Sequence, residues 1–305
     1  MTQSAIPIRD KHHQQRPPVF YPQPYILYSS SSKYSIYIYT ILYTSHPYTS
    51  PIVPKINIIT TTTKMPFHIL PCHPRDAPSL SEGMILARLT DPHWAFLFTD
   101  PSPAPIIASS TQRLPQNLTS NRPARRHEMV LDSDSNQPIA YCRWTLPPSL
   151  VAKGDVWLAA QVAEPTPEES AQYQRDFDAA SDSAGRVPGM KSGELLEFRS
   201  EPLEKAEESV LQGLLKGEEV LTIEYLTTHP DFWRRGAGGM LVRRGTEIAD
   251  QYGIKSYVMS EPDGLKVYLN SGFKVVDTVE VDYSRFGGQE PQVHYFMIRE
   301  PVTVS

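Results

Sequence analysis

His229-Pro230-Asp231-Phe232-Trp233-Arg234-Arg235-Gly236-Ala237-Gly238-Gly239 joins an apolar, β-branched run to an amphipathic helical pattern. Before it, Val220 to Thr228 reads as a strand, with Leu221, Ile223 and Tyr225 alternating against Thr222 and Glu224. After it, Ala237, Leu241, Gly245, Ile248 and Tyr252 recur at helical spacing. A strand, a basic glycine-rich turn and a helix start make a physically sensible cradle for a pyrophosphate. The glycines admit a close backbone approach and leave N–H groups pointing outward, and the helix N-terminus adds positive potential. Arg234 and Arg235 bring charge to the same turn. A glycine-rich turn alone is weak ground, because many are tight turns and nothing more. The strand before it and the helix after it raise this one above those.

Downstream, Lys255 to Met259 reads as a short strand and Gly264 to Ser271 as a short helix stopped by Gly272. Lys274 to Tyr283 and Val293 to Arg299 alternate as two strands around a Phe286-Gly287-Gly288 turn. Upstream, 152–219 is an acidic helical insertion, with helices expected over Ala163 to Ala180 and Pro202 to Leu215. Two readings of its charge stay open, solvated helix faces or an acidic wall beside a cationic acceptor. His127 to Leu131 and Ile139 to Leu146 form a hairpin across Asp132-Ser133-Asp134-Ser135-Asn136. Pro101 to Arg126, rich in Pro and Ser with few apolar anchors, reads mainly as loop or irregular helix. Asp76 to Leu89 reads as a helix stopped by Asp91-Pro92, and Phe67 to Leu70 as a first strand. This β/α order with late antiparallel strands predicts a mixed α/β sheet, mostly antiparallel and flanked by helices.

Composition bounds the function. The chain has 305 residues and a net charge of -5, which gives no global argument for nucleic acid or an anionic membrane. Arg125-Arg126 and Arg243-Arg244 lack the aromatic platform that would accompany nucleic-acid binding. The two cysteines, Cys72 and Cys142, have no metal-ligand spacing and are too few for a disulfide framework. No apolar run is long enough to span a bilayer, so a soluble, cytoplasmic or nuclear protein without a resident metal is expected. Residues 1–64 are biased in composition, Pro/Gln/His first and then Ser/Tyr/Ile/Thr, and read as a disordered leader. The more ordinary sequence from Met65 to 305 is expected to be one domain.

With strand, turn, helix, strand, helix and Tyr268-Leu269-Asn270-Ser271-Gly272-Phe273 assembled, the chain resembles the GNAT superfamily of N-acetyltransferases. More narrowly it is similar to fungal members that carry a Thr-His-Pro…Arg-Arg-Gly-Ala-Gly block. The resemblance runs from about Met65 to Arg299 and is strongest from Val220 to Phe273. It implies an acetyl-CoA-dependent enzyme that moves acetyl to a primary amine, on a small molecule or peptide, by direct attack in a ternary complex. The family's Gln/Arg-x-x-Gly-x-Gly/Ala turn falls on Trp233, Arg234, Arg235, Gly236, Ala237 and Gly238, with Gly239 beside it. Trp233 departs from the family pattern. The resemblance implies cofactor contacts from Arg234 to Gly239, with Leu226, Thr227 and Thr228 beside the pantetheine arm. Tyr268 is implied as the acid that protonates the departing thiolate. Glu224 is the strand carboxylate available as base, and its plain alternative is a salt-bridged strand residue. His229, next to Pro230, shapes the loop. Glu261 replaces an Asn that touches the cofactor in many relatives, and Ser260 is the expected substitute. The Trp233 and Glu261 departures motivate a rival, an inactive acyl-CoA-binding sensor or scaffold on the same fold.

Overall fold

The computed structural model describes residues 66–302 apart from 289, so the expectation for residues 1–64 lies outside the described residues. Seven strands alternate with eight α-helices among the described residues. The strands are β1 (Phe67–Pro71), β2 (Arg125–Asp132), β3 (Pro138–Thr145), β4 (Val220–Thr228), β5 (Lys255–Ser260), β6 (Lys274–Val281) and β7 (Gln292–Arg299). They form one sheet in the order β1-β2-β3-β4-β5-β7-β6. Every neighbouring pair is antiparallel except β4 and β5. The mixed, mostly antiparallel sheet expected from the sequence is the one found.

A parallel pair needs a crossover, and helix α7 (Ala237–Tyr252) supplies it. Gly245 lets this helix lie close to the sheet, because a Cβ there would run into the buried ring of Trp144 on β3. On the same face α8 (Pro262–Asn270) packs behind β5 and β7. Tyr141, an odd number of positions from Trp144, points to the opposite face, into a cluster with Leu80 and Leu114. That face is covered by α1 (Ala77–Leu89), α2 (Pro92–Phe96) and α3 (Pro103–Thr119). The connection from β3 to β4 carries α4 (Pro148–Lys153), α5 (Pro167–Ala179) and α6 (Gly193–Glu208).

Two expectations are corrected. Pro101 to Arg126 is a regular helix over most of its length and not mainly loop or irregular helix, since α3 fills it. Pro103 occupies the first helical turn, where no N–H is needed, and Ile106, Leu114 and Leu118 supply a buried stripe. Asp91-Pro92 does end the first helix, since α1 stops at Leu89, and the Asp91 carboxylate also accepts the His93 N–H at 2.9 Å and caps α2. The second acidic helix begins at Gly193 rather than Pro202, capped by Ser192, and continues past Glu208 as a π-helical turn. The two helices also differ in role: α5 buries no residue, whereas α6 buries Leu195, Leu203 and Ala206.

The feature that positions the site is a parting of strands. β4 pairs with β5 only from Val220↔Lys255 to Ile223↔Val258. Against β3 the register shifts, so that Trp144 faces Ile223 while Arg143 faces Tyr225, leaving Glu224 as the extra residue of a bulge. A bulge bends its strand. Beyond it β4 runs on to Thr228 with no β5 partner.

Candidate functional site

The opened edge of β4 carries the first half of the site. His229 donates its N–H to Ile139 O at 2.7 Å, toward β3. By strand alternation the Thr228 carbonyl faces the open side, and there the Trp233 indole N–H reaches it at 2.6 Å. Trp233 thus caps the far end of the edge from outside, and Leu226 remains the next residue whose backbone faces the gap.

The glycine-rich turn follows immediately. Arg234 and Gly236 both take left-handed backbone, with φ of 62 and 92. Gly236 is the N-cap of α7 and no side chain caps that helix. The N–H groups of Ala237, Gly238 and Gly239 are therefore free of helical partners, as in any uncapped first turn. A Cβ on Gly238 would stand 3.2 Å from Thr228 Oγ1, so a larger residue would intrude on the space beside the strand edge. Free amides at the positive end of a 16-residue helix, with the path to them kept clear by glycine, suit a pyrophosphate. The two arginines diverge. Arg234 is exposed and makes no ion pair among the described residues. Arg235 folds back over the rings of Phe67 and Phe232, at 5.3 and 5.0 Å, with Asp132 3.7 Å away.

Tyr268 lies on α8, buried edge-on against Phe273 with ring centroids 5.7 Å apart. Burial, reinforced by Cys142 and Glu261, holds its hydroxyl protonated far above the ordinary tyrosine range, while Arg88 opposes the shift. Those neighbours sit on β3, on α1 and just past β5.

Of the two roles open to Glu224, base or salt-bridged strand residue, the ion pairs match the second. Glu224 Oε2 lies 2.7 Å from Arg143 Nε and 3.2 Å from Arg125 Nε. The bulge brings these charges together, and only Arg143 is close in the ladder. Ser260 does not present a hydroxyl to the gap. It is buried and donates to the Glu261 carbonyl at 2.7 Å, tucked against Gly264. His229 shapes its loop as expected, its Nδ1 accepting the Asp231 N–H at 3.2 Å.

Sequence reasoning missed a group on the α1 face. Arg88 of α1 lies over the Tyr225 ring at 5.1 Å and pairs with Glu261 at 2.5 Å. Arg199 of α6 binds the other Glu261 oxygen at 3.3 Å. Below them His294 of β7 is fully buried with neither ring nitrogen hydrogen-bonded. Burial, then Arg199, push its imidazole down to about 4. Glu261 had been marked only as a departure from a cofactor contact; its partners come from two helices, and no local pattern announces them. No cluster of metal-ligating side chains occurs among the described residues.

Residues 94–273 match the family described as Acetyltransferase (GNAT) family. The chain belongs to the GNAT acetyltransferase family. GNAT enzymes draw acetyl from acetyl-CoA, and the amide cradle with its cleared strand edge fits the pyrophosphate and pantetheine of that molecule. No curated protein matches the chain in sequence. Among solved structures, an acetyltransferase of Corynebacterium glutamicum described as histone acetyltransferase HPA2 and related acetyltransferase is 14% identical, with a TM-score of 0.45, covering 79% of this chain and 99% of that one. The polyamine N acetyltransferase of Drosophila melanogaster is 14% identical with a TM-score of 0.44, covering 77% and 99%. A phosphinothricin acetyltransferase of Sinorhizobium meliloti in complex with AcCoA is 11% identical with a TM-score of 0.42, covering 78% and 89%. The family assignment rests on the sequence match. No helix among the described residues is long and apolar enough to cross a membrane.

Proposed function

We propose that this GNAT protein is an N-acetyltransferase that moves acetyl from acetyl-CoA to a primary amine by direct attack in a ternary complex. The observation that carries this reading is the joining of an uncapped, glycine-led helix start to a strand edge freed by a bulge. Acetyl-CoA supplies the activated acetyl as a thioester. The amides of Gly236 to Gly239 hold phosphate oxygens, with Arg234 free to add charge. The Leu226 backbone pairs with the pantetheine arm as an added strand would, and an N–H at the bulge polarises the thioester carbonyl. Tyr268 keeps a proton at the sulfur. Glu224 Oε2 is ion-paired to two arginines, so a water, or an amine arriving unprotonated, takes the base role. Direct transfer is supported by Cys72 and Cys142, both buried with their thiols pushed up by desolvation, which leaves no thiolate among the described residues to carry acetyl.

Calorimetry with acetyl-CoA, followed by acetyl-CoA consumption across amine classes, tests the reading. Binding with turnover of at least one amine is expected, and absence of binding heat overturns it. A second reading, an acyl-CoA-binding sensor, is favoured by Trp233, whose indole occupies the Thr228 carbonyl. Binding without transfer to any amine would select it.

A further inference from the structure

The two halves of the cofactor site come from different elements, the open edge of β4 and the amides at the start of α7. The chain that joins them, residues 230–236, has to keep their spacing. Most of its hydrogen bonds stay within the loop. Asp231 donates its N–H to His229 Nδ1, Phe232 to the His229 carbonyl and Trp233 to the Pro230 carbonyl. Among the described residues, one hydrogen bond runs from this loop back to β4: the Trp233 indole N–H reaches the Thr228 carbonyl at 2.6 Å.

The indole is 41% exposed, so burial does not fix its place, and Nε1–H is the only hydrogen-bonding group it carries. The Thr228 carbonyl lies beyond Ile223↔Val258, the last pair between β4 and β5, and has no ladder partner on the open side. The indole therefore fills a carbonyl that the parting of the strands left unpaired. Directly after Trp233 the backbone turns left-handed at Arg234, with φ of 62, a conformation that a residue with a Cβ adopts only where its surroundings impose it. Here they do. The chain is pinned at Thr228 by the indole and anchored in the core by buried Ala237, so the short run from Arg234 to Gly236 has to reverse its direction. Trp233 stands where the family pattern has Gln or Arg, and all three side chains carry an N–H donor.

We propose that Trp233 is a positioning residue for acetyl-CoA, its indole N–H tying the glycine-rich turn to the open edge of β4 so that both halves of the cofactor site keep one spacing. This rests on the acetyl-CoA-binding part of the proposed function and holds for catalyst and sensor alike. A ligand that spans both halves gains from a fixed spacing, because its second contact forms within the complex that the first has already made. A ligand that reaches only one half gains nothing from it. Trp233 thus acts on the cofactor through the protein and not by touching it.

Calorimetry on the full chain with acetyl-CoA, ADP and pantetheine tests this. ADP carries the diphosphate without the arm, and pantetheine carries the arm without the diphosphate. Trp233→Phe keeps a ring and loses the N–H. It should weaken acetyl-CoA about tenfold while ADP and pantetheine change by about twofold or less. Trp233→Gln should recover most of that loss, since its amide nitrogen lies as many bonds from Cβ as the indole nitrogen does. A Phe variant that binds acetyl-CoA as well as the wild-type chain overturns the proposal and spares the cofactor reading. Tighter binding also overturns it, by showing that the indole blocks the edge. So does an equal loss for ADP and acetyl-CoA, which marks damage to the turn itself. In the chain without cofactor, the Trp233 indole N–H, identified by its disappearance from the nitrogen-15 spectrum of the Phe variant, should exchange with solvent about tenfold more slowly than free indole. Exchange at the free rate overturns the proposal as well. No binding of acetyl-CoA by the wild-type chain would remove the cofactor reading and the proposal together.

Discussion

The two sides of the strand gap are built from different materials. On the α7 side the useful groups are backbone amides, presented by left-handed residues and by glycines that stay out of the way. On the α1 face they are side chains delivered by separate elements, with Arg88 and Arg199 held by Glu261 and His294 buried without a hydrogen-bond partner. A backbone site tolerates changes in side-chain chemistry and fails when side-chain bulk is added. A side-chain site behaves in the opposite way.

That contrast can be broken at several points. The largest effect is expected from Gly238→Val, whose side chain would enter the space beside Thr228 Oγ1. It should weaken acetyl-CoA binding by about 100-fold or more, a loss near 3 kcal/mol, read by calorimetry. Wild-type affinity in this variant would remove the backbone cradle. Tyr268→Phe keeps the ring and its packing on Phe273 and removes the proton. A fall in kcat of about 100-fold with little change in acetyl-CoA affinity is expected, and unchanged turnover withdraws the acid assignment.

Glu261→Gln addresses the other face. Releasing both arginines from their shared carboxylate should lower stability by about 1–3 kcal/mol in thermal melts and leave acetyl-CoA binding alone. Loss of cofactor affinity instead would show that the two sides are not separate. Stability against pH probes the same face. In the unfolded chain the imidazoles of His294 and His127 take a proton below 6.5, whereas in the folded chain burial delays this to about 4 and about 3. The unfolded state therefore binds more protons in that window, and stability falls as pH drops from 6.5 toward 4, by about 1.4 kcal/mol per pH unit for each histidine. Thermal melts should show it, and His294→Phe should flatten the slope by about half. The smallest effect belongs to Arg235→Ala. With the guanidinium turned onto Phe67 and Phe232, acetyl-CoA affinity should change by about threefold or less. A much larger loss would mean that this arginine swings to the phosphates.

How much of this was legible in the sequence follows the same division. The β4 strand, the turn and α7 read correctly because strand alternation, glycine spacing and helical periodicity are local signals, and the site on that side is local too. Helix α3 was legible only as loop or irregular helix, because prolines count as breakers; Pro103 escapes this by falling in the first turn, while Pro115 sits inside the helix. Glu224 was legible as a strand carboxylate, either base or salt-bridged; the choice was not, because Arg125 reaches it from another strand and the bulge that gathers all three charges depends on tertiary register. Arg199 was hidden among acidic residues, where one basic side chain looks like charge balance on a solvated helix. Only the packing of α6 under Leu195 and Leu203 turns it toward Glu261.

The pairing of β3 with β4 also sets an order of assembly. Thr145 meets Thr222 and Ala140 meets Thr228, partners about eighty positions apart, so closing that junction costs far more chain entropy than zipping the β2–β3 hairpin or the β6–β7 pair. The bulge, the parted edge and both halves of the site exist only once that junction has closed. The last part of the sheet to form is then the part that ligands hold together, and acetyl-CoA should slow hydrogen exchange most at Leu226 to Thr228, the seam between the early and late halves of the chain.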